Sequence, residues 1–307
     1  MKPFVRITSI FTLASVCAWV LGELLSDRWS WSQWIAWIPT LVLLLLVVFA
    51  IAITTLAKAW FQAKVFVVIA CSLAIWFTTI ENRLFTTTVK KGDLRIVSWT
   101  MSHSKEGNSL ESAQELVRLD GDLTLLSHGW YVRGEPIIKE WLGAGGRKFV
   151  NGPFTLLTKQ KMLNVQTLVA SDGVLISMFE IDTTPALGRP IILWAVDLPS
   201  SFRDSKMTIA KRARRLIDTQ SAPPPDIVIG DFNMTRNSSS IKTLFPKLND
   251  ASNEGGLGWL ASYPMWLPLY HIDHVLLSDS LTAQSYRLIN PRIGRHRVQI
   301  TELTSAD

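Results

Sequence analysis

The chain has 307 residues, of which 48% are hydrophobic and 18% charged, with a formal net charge of +6. Two cysteines, Cys17 and Cys71, both in apolar stretches, supply no disulfide framework. The basic excess is spread along the chain and does not single out nucleic acid as a partner.

The apolar excess is concentrated in the first quarter. Between Arg6 and Asp27 the single charged residue is Glu23, and residues 34–57 and 65–80 carry none. Uncharged spans of roughly 17 to 25 residues match a hydrocarbon core about 30 Å thick. They predict three transmembrane helices near residues 7–25, 34–57 and 64–80. The first also reads as a secretory signal, because Lys2 and Arg6 precede it, but no clean small-x-small cleavage site follows and two further spans do. Lys58 and Lys64 lie between the second and third spans, whereas the loop before the second carries one basic residue, Arg28. The bias puts the N-terminus in the cytoplasm and everything after residue 80 outside it, periplasmic or extracellular, although Arg83, Lys90 and Lys91 pull the other way. Trp29, Trp31, Trp34 and Trp37 suit an interfacial belt at the outer end.

After a short linker at 81–92, residues 93–307 are enough for one large domain with its own core. Strand-like runs cover 94–99, 123–126, 154–157, 174–181, 191–196, 227–229 and 275–277. Residues 108–119 read as an amphipathic helix with Asn108 as N-cap and Glu111 three positions on. Residues 204–219 read as a helix made basic by Lys206, Lys211, Arg212, Arg214 and Arg215, most simply a solvated face, before Pro223-Pro-Pro225 ends it.

Several apolar runs end in polar residues. In Asp226-Ile-Val-Ile-Gly-Asp-Phe-Asn233 a buried strand delivers Asp231 and Asn233 to an edge while Phe232 turns back to the core. A carboxylate there can accept a proton or orient a nucleophile, and a carboxamide can donate to an anionic oxygen. Taken alone, the same residues are ordinary turn formers. Around them, in order, stand Ile96-Val-Ser-Trp-Thr100, Asp122-Leu-Thr-Leu-Leu-Ser-His128, Trp194-Ala-Val-Asp-Leu-Pro-Ser200, Ile272-Asp-His274 and Gly294-Arg-His-Arg297.

This series resembles the endonuclease/exonuclease/phosphatase family, with its deoxyribonuclease-I-like fold, over roughly residues 93–300. The resemblance implies a four-layer α/β sandwich, two facing mixed β-sheets flanked by helices, with strand ends converging on a site that hydrolyses a phosphodiester or phosphomonoester, usually with Mg²⁺. It implies that Asp231 orients or deprotonates water and that Asn233 holds a phosphate oxygen. Asp273 would then fix the tautomer of His296, which contacts phosphate. Four positions depart from the family pattern. Thr100 stands where an Asn is usual, His128 where a metal-binding Glu is usual, Asp197 where a His is usual and Arg295 where an Asp is usual. Thr100, Asp197 and Arg295 become candidate substrate contacts, and His128 a candidate ligand for a softer metal.

Mg²⁺ prefers oxygen ligands, so the substitutions leave the cofactor open between Mg²⁺, a transition metal and none. The five histidines, His103, His128, His271, His274 and His296, all lie in the soluble part. Three functions are consistent with this reading: a membrane-anchored hydrolase with a divergent active site, a catalytically inactive extracytoplasmic binding module, and an accessory membrane subunit with a protein partner. The expected ligands are a phosphorylated small molecule, a lipid-linked phosphate or nucleic acid, with tethering favouring a lipid-linked phosphate or an envelope metabolite over chromosomal DNA.

Overall fold

The computed structural model describes residues 2–101, 108–201 and 203–306. His103 lies outside them.

The apolar N-terminal quarter forms helices α1 (Lys2–Leu25), α2 (Ser30–Ala36), α3 (Thr40–Leu56) and α4 (Trp60–Ile75). A π-helical turn, Trp76–Glu81, extends α4. Two helices, Pro3–Leu25 and Trp60–Glu81, are long and apolar enough to cross a membrane, and the α2–α3 pair makes a third candidate span if counted as one. The stretch expected as one helix near 34–57 is two, bent by 61°. Pro39 precedes α3 in extended conformation, and a proline disfavours helical geometry in the residue before it. Their core is Trp19, Leu43, Val47, Ala50, Phe66 and Leu73, while many other apolar side chains remain exposed, as lipid-facing helices require.

Beyond residue 93 the chain alternates strands and helices. The strands are β1 (Leu94–Thr100), β2 (Leu123–Ser127), β3 (Arg147–Asn151), β4 (Phe154–Thr158), β5 (Lys161–Ser171), β6 (Val174–Asp182), β7 (Ile191–Asp197), β8 (Ile227–Asp231), β9 (Asn249–Asp250), β10 (Gly256–Leu257), β11 (Asp273–Leu277), β12 (Leu281–Ile289) and β13 (Val298–Ser305). The helices are α5 (Ser109–Leu119), α6 (Pro136–Leu142), α7 (Thr184–Leu187), α8 (Lys206–Asp218), α9 (Ser239–Leu244) and α10 (Ala251–Gly255).

Among the described residues one sheet runs β10-β12-β13-β1-β2-β4-β3 and the other β5-β6-β7-β8-β11-β9. Both mix parallel and antiparallel pairs. Alternation along each strand sends one set of side chains between the sheets, including Ile96, Leu125, Phe179, Leu193, Ile229 and Val275. The opposite set packs under helices: Val97, Trp99 and Leu126 under α5 and α6, and Trp194, Val228 and Phe232 under α8 and α9. This is the four-layer sandwich.

The sequence reading does not include β3, β5, β12 or β13. The last is nonetheless central in its sheet, between β12 and β1. Two of its buried polar residues find partners across strands: Glu302 accepts from Arg95 Nε at 2.7 Å, and Gln299 accepts from the Tyr286 hydroxyl at 2.9 Å. Polar residues paired in this way hide a buried strand from a hydropathy pattern.

Candidate active site

The register of the second sheet sets three carboxylates side by side. Asp197 ends β7 opposite Asp231 at the end of β8, and Asp231 lies opposite Asp273 at the start of β11. Gly230 makes the close approach feasible: its φ is 146°, and a Cβ there would sit 2.0 Å from the Val196 carbonyl oxygen. Asn233 then turns into the left-handed region, φ 52°, and its N–H donates to Asp231 Oδ1 at 3.0 Å. Its carboxamide Nδ2 donates to the Leu198 carbonyl at 2.9 Å, which turns the carboxamide oxygen away from that carbonyl. Phe232 returns to the core, edge-on to Phe245 and His274.

The first sheet reaches across at two points. Thr100, at the end of β1, donates its hydroxyl to Asp273 Oδ1 at 2.6 Å. His128, just past β2 with φ 59°, places Nε2 2.9 Å from Asp197 Oδ2. His128 and Asp197 therefore face each other across the two sheets. Hydrogen bonding to Asp197 raises the His128 pKa, against the opposing effect of burial.

His296 comes from a loop held by backbone bonds from Met265 N–H to the Arg295 carbonyl, 2.7 Å, and from Arg297 N–H to the Ser262 carbonyl, 2.9 Å. Its Nδ1 lies 2.8 Å from Asp273 Oδ2, and the Tyr263 ring covers it at 5.0 Å. Ser262 Oγ accepts from the N–H of Asp273. Nδ1–H bonded to a carboxylate leaves Nε2 to face the site.

The electrostatics follow from this crowding. Burial first, then the like charge of Asp273, raises the Asp231 pKa well above the ordinary range, with His296 opposing. Burial would raise Asp273 too, but His296 and the hydroxyls of Ser262 and Thr100 hold it low. For His296 burial is outweighed by Asp273 and Asp231, and its pKa is pushed up to about 9. The three therefore titrate as a set in which His296 is cationic, Asp273 anionic and Asp231 the proton acceptor. Arg295 is exposed, and its charge acts on His296.

Lys206, the first residue of α8, does not lie on a solvated face with its basic neighbours: it is fully buried. Its Nζ donates to the Pro199 carbonyl at 3.0 Å, lies 5.8 Å from the Trp37 ring centroid, and feels the charges of Asp231 and Asp27. Burial lowers its pKa to about 8, against those two carboxylates. Nothing in the sequence separates this lysine from the others on α8; only its place at the helix start, beside the turn after Asp197, brings it to the site.

A divalent ion is the usual cofactor of this fold, and the donor set permits a test. Asp231, Asp273 and His296 bring potential ligand atoms within 4.8 Å of one another. Both Asp273 oxygens and His296 Nδ1 are already engaged in hydrogen bonds. Mg²⁺ needs only one or two carboxylates when water and phosphate oxygens complete its shell, so Asp231 with its neighbouring carboxylates would give it a partial shell. His128 belongs to neither cluster of metal-capable atoms among the described residues.

The second such cluster lies behind the first. His274, next to Asp273 on β11, points to the opposite face, with Nδ1 2.9 Å from Asp250 Oδ2 and Nε2 2.8 Å from the Met234 carbonyl. His271 stacks on His274 at 4.7 Å.

The match to known proteins agrees with this geometry. Residues 76–296 match the model of the endonuclease/exonuclease/phosphatase family. A search of curated proteins gave no match. Among solved structures, an endonuclease/exonuclease/phosphatase family protein from Bacteroides thetaiotaomicron is similar at 13% identity and TM-score 0.53, covering 68% of this chain and 97% of that one. A mannosyl-6-phosphatase from the same organism is similar at 13% identity and TM-score 0.52, covering 68% and 99%. A humanized D. rerio TDP2 is similar at 16% identity and TM-score 0.50, covering 68% and 98%. Fold, ordered motifs and the span of the match place this chain in the endonuclease/exonuclease/phosphatase family.

Proposed function

We propose that this chain is a membrane-anchored phosphoester hydrolase with a divergent site, acting on a phosphorylated group presented at the bilayer surface. The observation that carries this reading is the docking of the segment between candidate spans onto the loops that build the site. Lys206 N–H, beside Asp231, donates to Gln33 Oε1 of α2 at 2.6 Å. Ser239 and Ser240, a few residues beyond Asn233, donate their N–H groups to Ser26 Oγ and Asp27 Oδ1, each at 3.0 Å. Trp37 packs against Tyr270, three residues before Asp273, at 5.3 Å. With helices α1, α3 and α4 in a bilayer, the catalytic edge faces the headgroups, where a lipid-linked phosphate is a nearer substrate than nucleic acid. The Lys and Arg bias supports an extracytoplasmic domain with the N-terminus inside.

In the proposed reaction a water attacks phosphorus in line with the leaving oxygen. Asp231 takes the proton from the water when ionised, and the neighbouring carboxylates that raise its proton affinity make that ionised form a stronger base. His296, held as imidazolium by Asp273, donates from Nε2 to a phosphoryl or leaving oxygen, and Asn233 and Arg295 supply further donors. The P–O bond to the leaving group breaks, yielding an alcohol and a phosphate product. Lys206 offsets part of the negative charge around Asp231. Were a divalent ion bound, Asp231 and Asp273 would hold it and it would offset charge on the phosphoryl oxygens; no step is assigned to it.

A second reading, phosphate binding without turnover, is favoured by the hydrogen bonds that already occupy both oxygens of Asp273. The full chain in lipid nanodiscs, assayed on phosphorylated lipids, an oligonucleotide and a soluble phosphomonoester, separates the two. Release of phosphate or alcohol from lipid by the wild type, lost in an Asp231→Ala, His296→Ala double variant, supports hydrolysis. Equal product from both proteins, or retention of phospholipid without product, removes it. A reporter fused after Asp307 decides the side of the membrane, and a cytoplasmic signal reverses the proposed orientation.

A further inference from the structure

A cavity of about 370 Å³ opens where the ends of the candidate spans meet the domain. Its walls include Glu23 near the end of α1, Trp37 between α2 and α3, Trp76 and Glu81 at the two ends of the π-helical turn, and Arg236 and His271 from the domain. None of the candidate catalytic residues lines it.

Its walls carry both signs of charge, Glu23 and Glu81 together with Arg236 and Lys242. Among the described residues neither carboxylate has a Lys or Arg nitrogen within 4.0 Å. The guanidinium of Arg236 is instead anchored to the Ile80 carbonyl at 2.7 Å. The π-helical turn matters here: in a regular α-helix residues five apart point about 140° away from each other, whereas the wider turn lets Trp76 and Glu81 line one cavity.

His271 is an independent pointer. It is only 8% exposed, and its Nδ1 has no partner. Tyr286 Oη donates to Gln299, so the 3.2 Å contact between Tyr286 Oη and His271 Nε2 has Nε2–H as donor. Burial, then the neighbouring His274, lowers the His271 pKa to about 3, so the ring is neutral and Nδ1 is a bare acceptor. Two carboxylates suit a compact cation with N–H groups, and Arg236 and Lys242 on the same walls suit an anion.

We infer that this cavity binds the headgroup of an aminophospholipid, its primary ammonium toward Glu23 and Glu81 and its phosphate toward Arg236 and Lys242. The volume suits a headgroup, and the position at the ends of the spans, beside tryptophans, is headgroup depth. The site is separate from the Asp231 cluster and stands whether or not the protein is a hydrolase.

The test uses the full chain carrying Asp231→Ala, so that turnover does not interfere, in detergent micelles with defined lipids added. Lipid retention by native mass spectrometry and thermal midpoint are read for phosphatidylethanolamine, phosphatidylcholine, phosphatidylglycerol, soluble phosphoethanolamine and Ca²⁺. The expected result is at least ten-fold preference for phosphatidylethanolamine over phosphatidylcholine, whose methylated nitrogen has no N–H. Glu81→Gln should cut that preference about ten-fold and Glu81→Asp should keep part of it; Glu23→Gln provides the same reading if Glu81→Gln fails to fold. Equal retention of the two lipids overturns the inference. So does protection by Ca²⁺ without protection by phosphatidylethanolamine, or soluble phosphoethanolamine binding as tightly as the lipid.

Discussion

Strand β11 begins with an acid and a histidine that face opposite ways, and the two regions they serve use the same residue types to different ends. Asp273 joins His296 and Asp231 at the sheet edge; His274 joins Asp250 and His271 in the interior. In the interior pair each His274 nitrogen meets an acceptor, and Asp250 also accepts from Ser252 N–H at 2.8 Å as the cap of α10. At the edge, Asp231 sits between two other carboxylates with too few donors of its own. A carboxylate paired with an imidazole and a cap N–H fixes geometry, whereas a carboxylate pressed by like charges gains proton affinity that chemistry can use.

The largest expected effect separates the two regions by activity. Asp231→Ala should lower kcat/KM by about 10³-fold or more while leaving the thermal midpoint unchanged or higher, because it removes a buried carboxyl group whose ionisation is opposed by burial and by two neighbouring carboxylates. A variant that loses stability in step with activity would make the edge a structural network as well.

Asp250→Asn is the converse. It takes the carboxylate partner from the fully buried His274, and the stability loss should be about 3–5 kcal/mol by denaturant titration, with activity per folded molecule within a few-fold of wild type. A catalytic loss without unfolding would erase the contrast.

A pH scan sharpens it further. His296, raised from 6.5 to about 9, stabilises the fold fully below pH 6.5, and that contribution is lost as pH rises through about 9, up to roughly 3 kcal/mol. Asp231, also raised, adds a slope of the same sign that begins near its ordinary carboxylate range. The thermal midpoint should therefore fall between pH 6.5 and 9.5, and Asp273→Asn should flatten that fall. A flat wild-type profile would mean that His296 is not held as a cation.

Lys206→Met gives the smallest effect. Removing a cation near Asp231 should raise the Asp231 pKa further and move the acid limb of the pH–rate profile upward by less than about one unit, with kcat down a few-fold. An unmoved limb, with kcat unchanged, would confine Lys206 to anchoring α2.

Much of the fold was legible because apolar runs ended in recognisable polar residues: 226–233 and 272–274 mark strand ends in any packing. β13 was not, since Gln299, Thr301 and Glu302 look solvated until Tyr286 and Arg95 are placed beside them. The bend at Pro39 is written in the sequence as a proline, yet the uncharged run from Trp34 to Ala57 reads as one span because hydropathy averages over the break. Lys206 could not be told from Lys211 or Arg212, because burial at a helix start depends on what lies opposite it.

By itself the sequence determined the membrane-suited quarter, the alternating strands and helices of the domain and the order of the motifs, since periodicity and residue type act locally along the chain. The pairing of His128 with Asp197, the opposite fates of Asp273 and His274, and the approach of α2 to the catalytic edge were decided only in three dimensions. Each depends on hydrogen bonds and charges between segments far apart in the chain, and those energies exist only once the sheets have closed on one another.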